Sequence, residues 1–440
     1  MRLGPHTPLP PSVQAPGYDR AVQAAGIVHI GIGAFHRAHQ AVYTDDAMDA
    51  GDRDWGIIGV SLRSGDVAAQ LNPQDGLYTV SSRSAAGTQL RVIGAVHKVL
   101  VAADDPQAVI DAIAAPTTHI VSFTVTEKAY LRRVDGSLDL AAAVGASSLY
   151  RFVAAGMAAR KAAGLGGLTL LSCDNLAGNG AALKALMRQY LAAKHPDLLN
   201  WFDGNCTCPA TMIDRIVPAA TAADRVAVES TLGARDEGAV VTEGFSQWVI
   251  EDDFAGPRPR WEAVGAELVA DVAPYETAKL RMLNGSHSAL AYIGLGRGHE
   301  YVHQVIADPE IRPVIERLMR AEAAPTIDAA PGQDLAAYAD ALLDRFANPA
   351  LNHRLIQIAM DGSQKIPQRW LETLAWHQEH GQRCASLEAA IAAWIGFLRS
   401  EHPIDDPLAD KLSEAAAGPD VLERLFGERG LMASGWRPES

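Results

Sequence analysis

The stretch Lys279-Leu280-Arg281-Met282-Leu283-Asn284-Gly285-Ser286-His287 gathers a lysine, a carboxamide and an imidazole among apolar neighbours. Wound as an α-helix, it makes Asn284 and His287 neighbours at i, i+3, with Lys279 about two turns N-terminal on the same broad side. A lysine in an apolar pocket has a depressed pKa, because burial penalises the ammonium form. Such an amine takes a proton from an alcohol near neutral pH. A carboxamide and an imidazole beside it donate hydrogen bonds to the oxygen whose charge changes. This set oxidises a secondary alcohol, or reduces a ketone, without a metal. The competing reading is an ordinary amphipathic helix with Lys279 snorkelling and Asn284 and His287 on its polar side.

Something must hold such a segment against a substrate, and the rest of the chain supplies the frame. At 440 residues two or three domains are expected. A hydrophobic content of 48% against 20% charged residues is a globular balance. The net charge of −14 argues against nucleic acid or an anionic membrane as partner, leaving room for a local basic pocket. No apolar run reaches the roughly 20 residues of a membrane span. The Pro-rich N-terminus, Met1 to Gly17, lacks the pattern of a signal peptide and reads as a loosely ordered arm. Cys173, Cys206, Cys208 and Cys384 lack zinc spacing and read as free thiols in a reducing cytoplasm, the expected location.

Ile27 to Ile30 is a β-rich run ending in Gly31-Ile32-Gly33, with a helical pattern from Phe35 to Ala50. Strand, glycine turn and helix open a dinucleotide-binding βαβ unit. Further strands are expected at Trp55 to Leu62, Leu90 to Ile93, His119 to Val125 and Leu168 to Cys173. Alanine-rich helices fall between them, at Pro106 to Ala115, Ala141 to Ala163 and Gly180 to Lys194. This alternation predicts an α/β fold, a Rossmann-type doubly wound sheet with helices on both faces. Val240 to Glu251 reads as a last extended segment. Beyond Pro274 helical patterns dominate, interrupted at Pro325, Pro331, Pro349, Pro367 and Pro403. The expected division is a dinucleotide-binding domain over 1–272 and a mainly α-helical substrate domain over 273–440. The active site is expected between them.

At the cofactor end, Gly31 and Gly33 supply two of the three fingerprint glycines, and His36 stands at the third. Phe35, His36 and Arg37 fall in the first helical turn, where Arg37 either adds a charge-assisted bond to a phosphate or is a surface cation. His36 and His39 could stack or cap, and they lack a carboxylate companion for a metal; no metal is expected. Asp66, after the second strand, accepts from a ribose hydroxyl and favours NAD over NADP, or else caps the next helix. Arg63 nearby points towards a 2′-phosphate.

Gly31-Ile-Gly-Ala-Phe-His-Arg-Ala-His-Gln40, Thr124-Val-Thr-Glu-Lys-Ala-Tyr130, Ser172-Cys-Asp-Asn-Leu-Ala-Gly-Asn-Gly180, Met212-Ile-Asp-Arg-Ile216 and the Lys279, Asn284, His287 set occur in this order. Together they resemble the polyol-specific long-chain dehydrogenases, the mannitol dehydrogenase family, from about Gly26 to beyond Trp370. The resemblance implies a metal-independent NAD(P) enzyme in which Lys279 is the general acid/base. It further implies Asn175 and Asn284 as the oxyanion-stabilising pair, and His287 orienting the substrate oxygen. Glu276 would pass the proton to solvent, and Thr126 would lie by the nicotinamide. Asp174 reads as structural. The family often has glycine where Ala129 stands, a small departure.

Gln357 to Arg369 is more similar to the fructuronate reductase branch; mannitol enzymes tend to carry arginine where Gln357 stands. Lys365 and Arg369 would answer the carboxylate of a hexuronate. Alternatively Lys365 contacts a neutral polyol and Arg369 is an exposed helix cation. The reading that follows is an NAD-dependent dehydrogenase, a monomer or small homo-oligomer, interconverting D-fructuronate and D-mannonate. Its rivals are a mannitol 2-dehydrogenase, an arabinitol dehydrogenase, and, from another class, a non-catalytic NAD-binding sensor.

Overall fold

The computed structural model describes residues 1–84 and 86–438. The chain divides into two compact units, Met1–Val272 and Ala273–Ser440.

Unit 1 is built on strands β1 (Ala25–Ile30), β2 (Gly56–Ser61), β3 (Tyr78–Ser84), β4 (Gly87–Ile93), β5 (Val96–Val101), β6 (Ile120–Phe123), β7 (Thr169–Ser172), β8 (Thr211–Asp214), β9 (Val240–Glu243), β10 (Gln247–Glu251) and β11 (Glu267–Val269). The main sheet is five-stranded, in the order β5-β2-β1-β6-β7, and all its pairs are parallel. Successive side chains point to opposite faces of a strand, and here both faces are buried. Val28, Ile58, Val121 and Leu170 enter one core with Val109 and Ile113 of helix Pro106–Ala114 and Phe152 and Val153 of helix Leu149–Ala162. Ile27, Ile57, Ile120 and Leu171 enter the other with Ala41, Ala47 and Met48 of helix Gln40–Asp49. Burial on both faces is why these strands read as nearly unbroken apolar runs.

Several sequence expectations change here. Leu90 to Ile93 belongs to β4, which pairs antiparallel with β3, outside the parallel sheet. The polar second half of β3, Ser81 to Ser84, hid it. Val240 to Glu251 is two strands in different sheets: β9 joins β3 and β4, and β10 joins β8 and β11. The helix expected from Phe35 to Ala50 breaks at His39 (φ −126°, ψ −90°), leaving Ala34–Ala38 and Gln40–Asp49. The N-terminal arm is pinned rather than loose. Arg2 donates from Nη2 to the carbonyls of Ala69 and Gln70, and Leu3 and Val13 are buried in a small core with Leu77 and Leu232. Sparse apolar residues anchor it where average composition suggested none.

Unit 2 is helical. Ala273–Ala278, Lys279–Asn284 and Gly285–Gly296 run on as one helix, and its middle section is π-helical. Gly285–Gly296 is buried along most of its length and packs with helix Ala385–Leu398 in a single core. Pro367 does not interrupt its helix. It opens another π-helical turn, Pro367–Leu371, between Gly362–Ile366 and Glu372–Glu379. A proline cannot make the i→i−4 bond and its ring crowds that carbonyl, and the wider winding accommodates both. Among the described residues no helix is long and apolar enough to cross a membrane.

Candidate active site

In unit 1 the chain steps outward from β1 through β2 to β5, then reverses through β6 to β7. Ligands bind at such a reversal, beyond the carboxyl ends of the strands. A cavity of about 870 Å³ opens there, lined by Gly31, Gly33, Asp66 and Thr126 together with Arg63 and Ser64. Gly31 has φ +98°, and a Cβ there would lie 2.2 Å from the carbonyl oxygen of Thr124. Only glycine lets this turn cross so close to the end of β6. A Cβ on Gly33 would meet only the Gly31 oxygen, at 3.8 Å. Asp66 is the first residue of helix Asp66–Leu71, whose cap is Gly65, so the capping alternative gives way. Ser64 Oγ donates to its carboxylate at 2.6 Å.

The first helical turn takes a different course from the expected one. Arg37 is buried, and its Nη1 donates to the Gly238 carbonyl at 3.0 Å while its guanidinium lies 5.7 Å over the Tyr78 ring. It braces β3 and the segment just before β9, and no longer reads as a phosphate ligand. His36 lies flat on His29, with ring centroids 3.4 Å apart at 13°. A thin aromatic ring stacked this way takes the place where a third glycine would let helix and strand approach. Phe35 stacks on His39 at 5.3 Å, against the core. None of Phe35, His36 and Arg37 is among the residues lining the cavity. His36 and Arg37 are buried in the protein interior instead, and Phe35 is half-buried.

His29 itself ties β1 to β6. Thr124 Oγ1 donates its proton to the Gly31 carbonyl at 2.8 Å. His29 Nε2, 2.8 Å from that hydroxyl, must therefore be the donor, and Nδ1 accepts from Ser122 Oγ at 2.8 Å. Burial holds this imidazole neutral, with its pKa lowered to about 3.

At the end of β7, Asn175 is exposed and Asp174 beside it is buried. The Asp174 carboxylate accepts from the main-chain N–H of Val125 and of Thr126, and from the Tyr130 hydroxyl. Asn179 Nδ2 holds the Asp174 carbonyl at 3.0 Å. Asp174, Tyr130 and Asn179 were not singled out as functional residues. The available signal was the density of Asp and Asn around one strand end, in Ser172 to Gly180.

In unit 2, Lys279, Asn284 and His287 share one helix with a change of winding. Five α-helical residues set two side chains about 140° apart around the axis. The i→i+5 bonding of a π-helical turn instead brings such a pair towards one face. Lys279 and Asn284 bound that turn, and both are half-buried, as is Glu276. His287 is buried, 4.8 Å from the Phe346 ring and 5.1 Å from His353. Burial, then the nearby His353, Arg345 and Arg369, push its pKa well down, so the ring is neutral. Arg369 Nη1 donates to the Asn284 carbonyl at 3.2 Å and to Ser288 Oγ at 2.7 Å, and Trp370 Nε1 donates to the Gly285 carbonyl at 3.0 Å. Burial lowers the Arg369 pKa to about 10. Arg369 is therefore no exposed cation. Lys365 Nζ donates to the Met360 carbonyl at 2.6 Å, and burial and then the charge of Arg369 lower its pKa.

Comparison with known proteins agrees with this arrangement. Residues 25–263 match the mannitol dehydrogenase Rossmann domain, and residues 271–423 the mannitol dehydrogenase C-terminal domain. The D-mannonate oxidoreductase of Escherichia coli (strain K12) is 40% identical over 96% of this chain and 91% of that protein. A mannitol 2-dehydrogenase of Pyrenophora tritici-repentis is 38% identical over 95% of this chain and 78% of its own length. The solved Pseudomonas fluorescens mannitol 2-dehydrogenase, in ternary complex with NAD and D-mannitol, is 35% identical with a TM-score of 0.82, covering 99% of this chain and 93% of that one. With both domains matched along almost the whole chain, this protein belongs to the mannitol dehydrogenase family and is an oxidoreductase acting on alcohol groups.

Proposed function

We propose that the protein reduces D-fructuronate to D-mannonate with NADH, and runs the reverse oxidation with NAD. The observation that carries the uronate reading is the pairing of two cations, Lys365 and Arg369, close enough for one to depress the other's pKa. Arg369 also touches the Asn284 main chain. Two like charges in a half-buried setting call for an anion, and the carboxylate of a hexuronate supplies one. Nη1 of Arg369 makes the bonds to Asn284 and Ser288, and Nε and Nη2 are assigned to the carboxylate. A neutral ketose leaves the pair unanswered, apart from what Asp361 and Asp406 contribute nearby.

The unit 1 cavity fits a dinucleotide on its own features: its place at the sheet reversal, its volume of about 870 Å³, and a glycine turn open to a close ligand at Gly33. Gly31, Gly33, Asp66 and Thr126 are the residues proposed to hold it, with Asp66 on the adenosine ribose. Bound there, a nicotinamide would supply or receive the hydride. Lys279 gives a proton to the ketone oxygen as it becomes an alcohol, and takes it back in the oxidation. The carboxamides of Asn284 and Asn175 are assigned as donors to that oxygen while it carries negative charge. Neutral His287 orients the oxygen, and Glu276, one turn before Lys279, passes the proton on to water.

A panel of ketoses and ketouronates, followed by NADH absorbance and repeated with NADPH, tests the proposal. Fructuronate is expected to give the highest kcat/KM and NADH to outperform NADPH. Turnover of fructose with none of fructuronate would replace the reading with a mannitol 2-dehydrogenase.

A further inference from the structure

Thr126 has φ +69° and ψ 154°. A β-branched residue rarely adopts this region, and holding it there stores strain that the surroundings must offset. Thr126 also lines the unit 1 cavity, just beyond β6. The offset comes from one side chain on the neighbouring strand end. Asp174 Oδ1 accepts from the Thr126 N–H at 3.1 Å, and Oδ2 from the Val125 N–H at 3.2 Å and the Tyr130 hydroxyl at 2.8 Å. Because the phenol proton goes to Asp174, Ser172 Oγ is the donor in its 2.6 Å contact with Tyr130. Tyr130 is in turn fully buried, and its carbonyl is held by the Tyr150 hydroxyl at 2.7 Å. The acceptor is thus fixed from behind, and its backbone is fixed by Asn179.

We infer that Asp174 is a positioning residue whose carboxylate clamps the loop after β6 in its strained form, so that Thr126 meets the nicotinamide end of the cofactor while Asn175, next in sequence, stays aimed at the substrate oxygen. The inference rests on the dinucleotide reading of the unit 1 cavity. Without the clamp, Thr126 relaxes to an ordinary extended conformation, and the loop that binds cofactor becomes a minor species. Apparent affinity then falls by the fraction of chains still in the competent form.

The experiment is a double-mutant cycle read by NADH titration of protein fluorescence. Asp174→Asn cannot accept all three bonds, since its amide nitrogen must face a donor. It is expected to weaken NADH binding about tenfold or more, an effect in the range of backbone strain released. Thr126→Gly removes the strain, because glycine adopts this conformation freely. In the T126G background, D174N is expected to cost less than about threefold. The same split is expected in kcat on the best substrate, through Asn175. If D174N does not fold, Tyr130→Phe removes one bond to the clamp, and its smaller loss should likewise shrink in the T126G background. An equal loss in both backgrounds, or NADH affinity unchanged in D174N, overturns the inference while the dinucleotide reading stands. A wild-type chain that binds neither NADH nor NADPH overturns both.

Discussion

Arg369 and Asn284 are joined through the main chain: Nη1 of the arginine donates to the asparagine's carbonyl at 3.2 Å, at the point where π-helical winding gives way to α-helix. A change of winding disturbs the regular ladder of carbonyl acceptors, and side chains from elsewhere take up the carbonyls at the junction. Trp370 does the same for Gly285. Under the proposed function Arg369 therefore has two duties, bracing the turn that carries Asn284 and offering charge to a substrate carboxylate.

These duties separate by mutation. Lys365→Ala removes a charge and a hydrogen bond to the Met360 carbonyl, while the bonds from Arg369 and Trp370 to the Asn284 turn stay in place. It should raise KM for a ketouronate about tenfold, the scale of one charge-assisted hydrogen bond, with kcat and the KM for a neutral ketose little changed. Arg369→Ala should raise the ketouronate KM and also lower kcat on every substrate, because Asn284 loses its brace. Steady-state kinetics on one ketouronate and one ketose decide it. Equal effects of both variants on the two substrates would remove the carboxylate argument.

Lys279→Ala deletes the proposed proton carrier. General acid–base groups contribute about 10²–10⁴-fold, so turnover should fall by at least about a hundredfold. NADH binding should stay within about twofold, since the lysine handles the proton rather than the cofactor. A variant that retains its full rate would end the assignment, and so would one that loses NADH affinity in proportion to rate.

What the sequence made legible was local. Gly31, Gly33 and Thr126 line one cavity because strand ends and a glycine turn are short-range features. The π-helical turn Lys279–Asn284 was not legible, and the side chains that bond the carbonyls at its end, Arg369 and Trp370, lie far along the chain. Nor was the fate of Arg37. Its type and place suited a phosphate, but it is buried and donates to Gly238, a partner no local pattern reveals. The third glycine was missing for a related reason, since His36 finds a flat partner in His29 on a neighbouring element.

The N-terminal arm offers a test away from the chemistry. Arg2 donates to the last carbonyls of helix Asp66–Leu71, the helix that begins at the cavity. Cations at helix C-termini satisfy orphan carbonyls and suit the helix dipole. Arg2→Ala should cost about 1–3 kcal/mol and lower the melting temperature, and should weaken NADH binding only slightly. A scanning calorimetry trace identical to wild type would show the arm to be dispensable.

Acid stability carries the last expectation. His29, His36 and His287 are buried neutral, and for His29 burial lowers the pKa from 6.5 to about 3. Above pH 6.5 neither the folded nor the unfolded chain protonates this ring, and it contributes no pH dependence. Between about pH 6.5 and 3 the unfolded chain binds a proton that the folded chain refuses. Stability therefore falls on acidification by about 1.4 kcal/mol per pH unit for each such histidine, and for His29 it levels off below about pH 3. Charging His29 would also set a cation against the His36 ring stacked 3.4 Å away. His29→Gln removes one of these protons. Urea unfolding at a series of pH values should give a slope between pH 6 and 4 that is shallower by about 1.4 kcal/mol per unit than that of the parent chain. Parallel slopes would mean that His29 already titrates in the folded protein, in conflict with its enclosure between Ser122, Thr124 and His36.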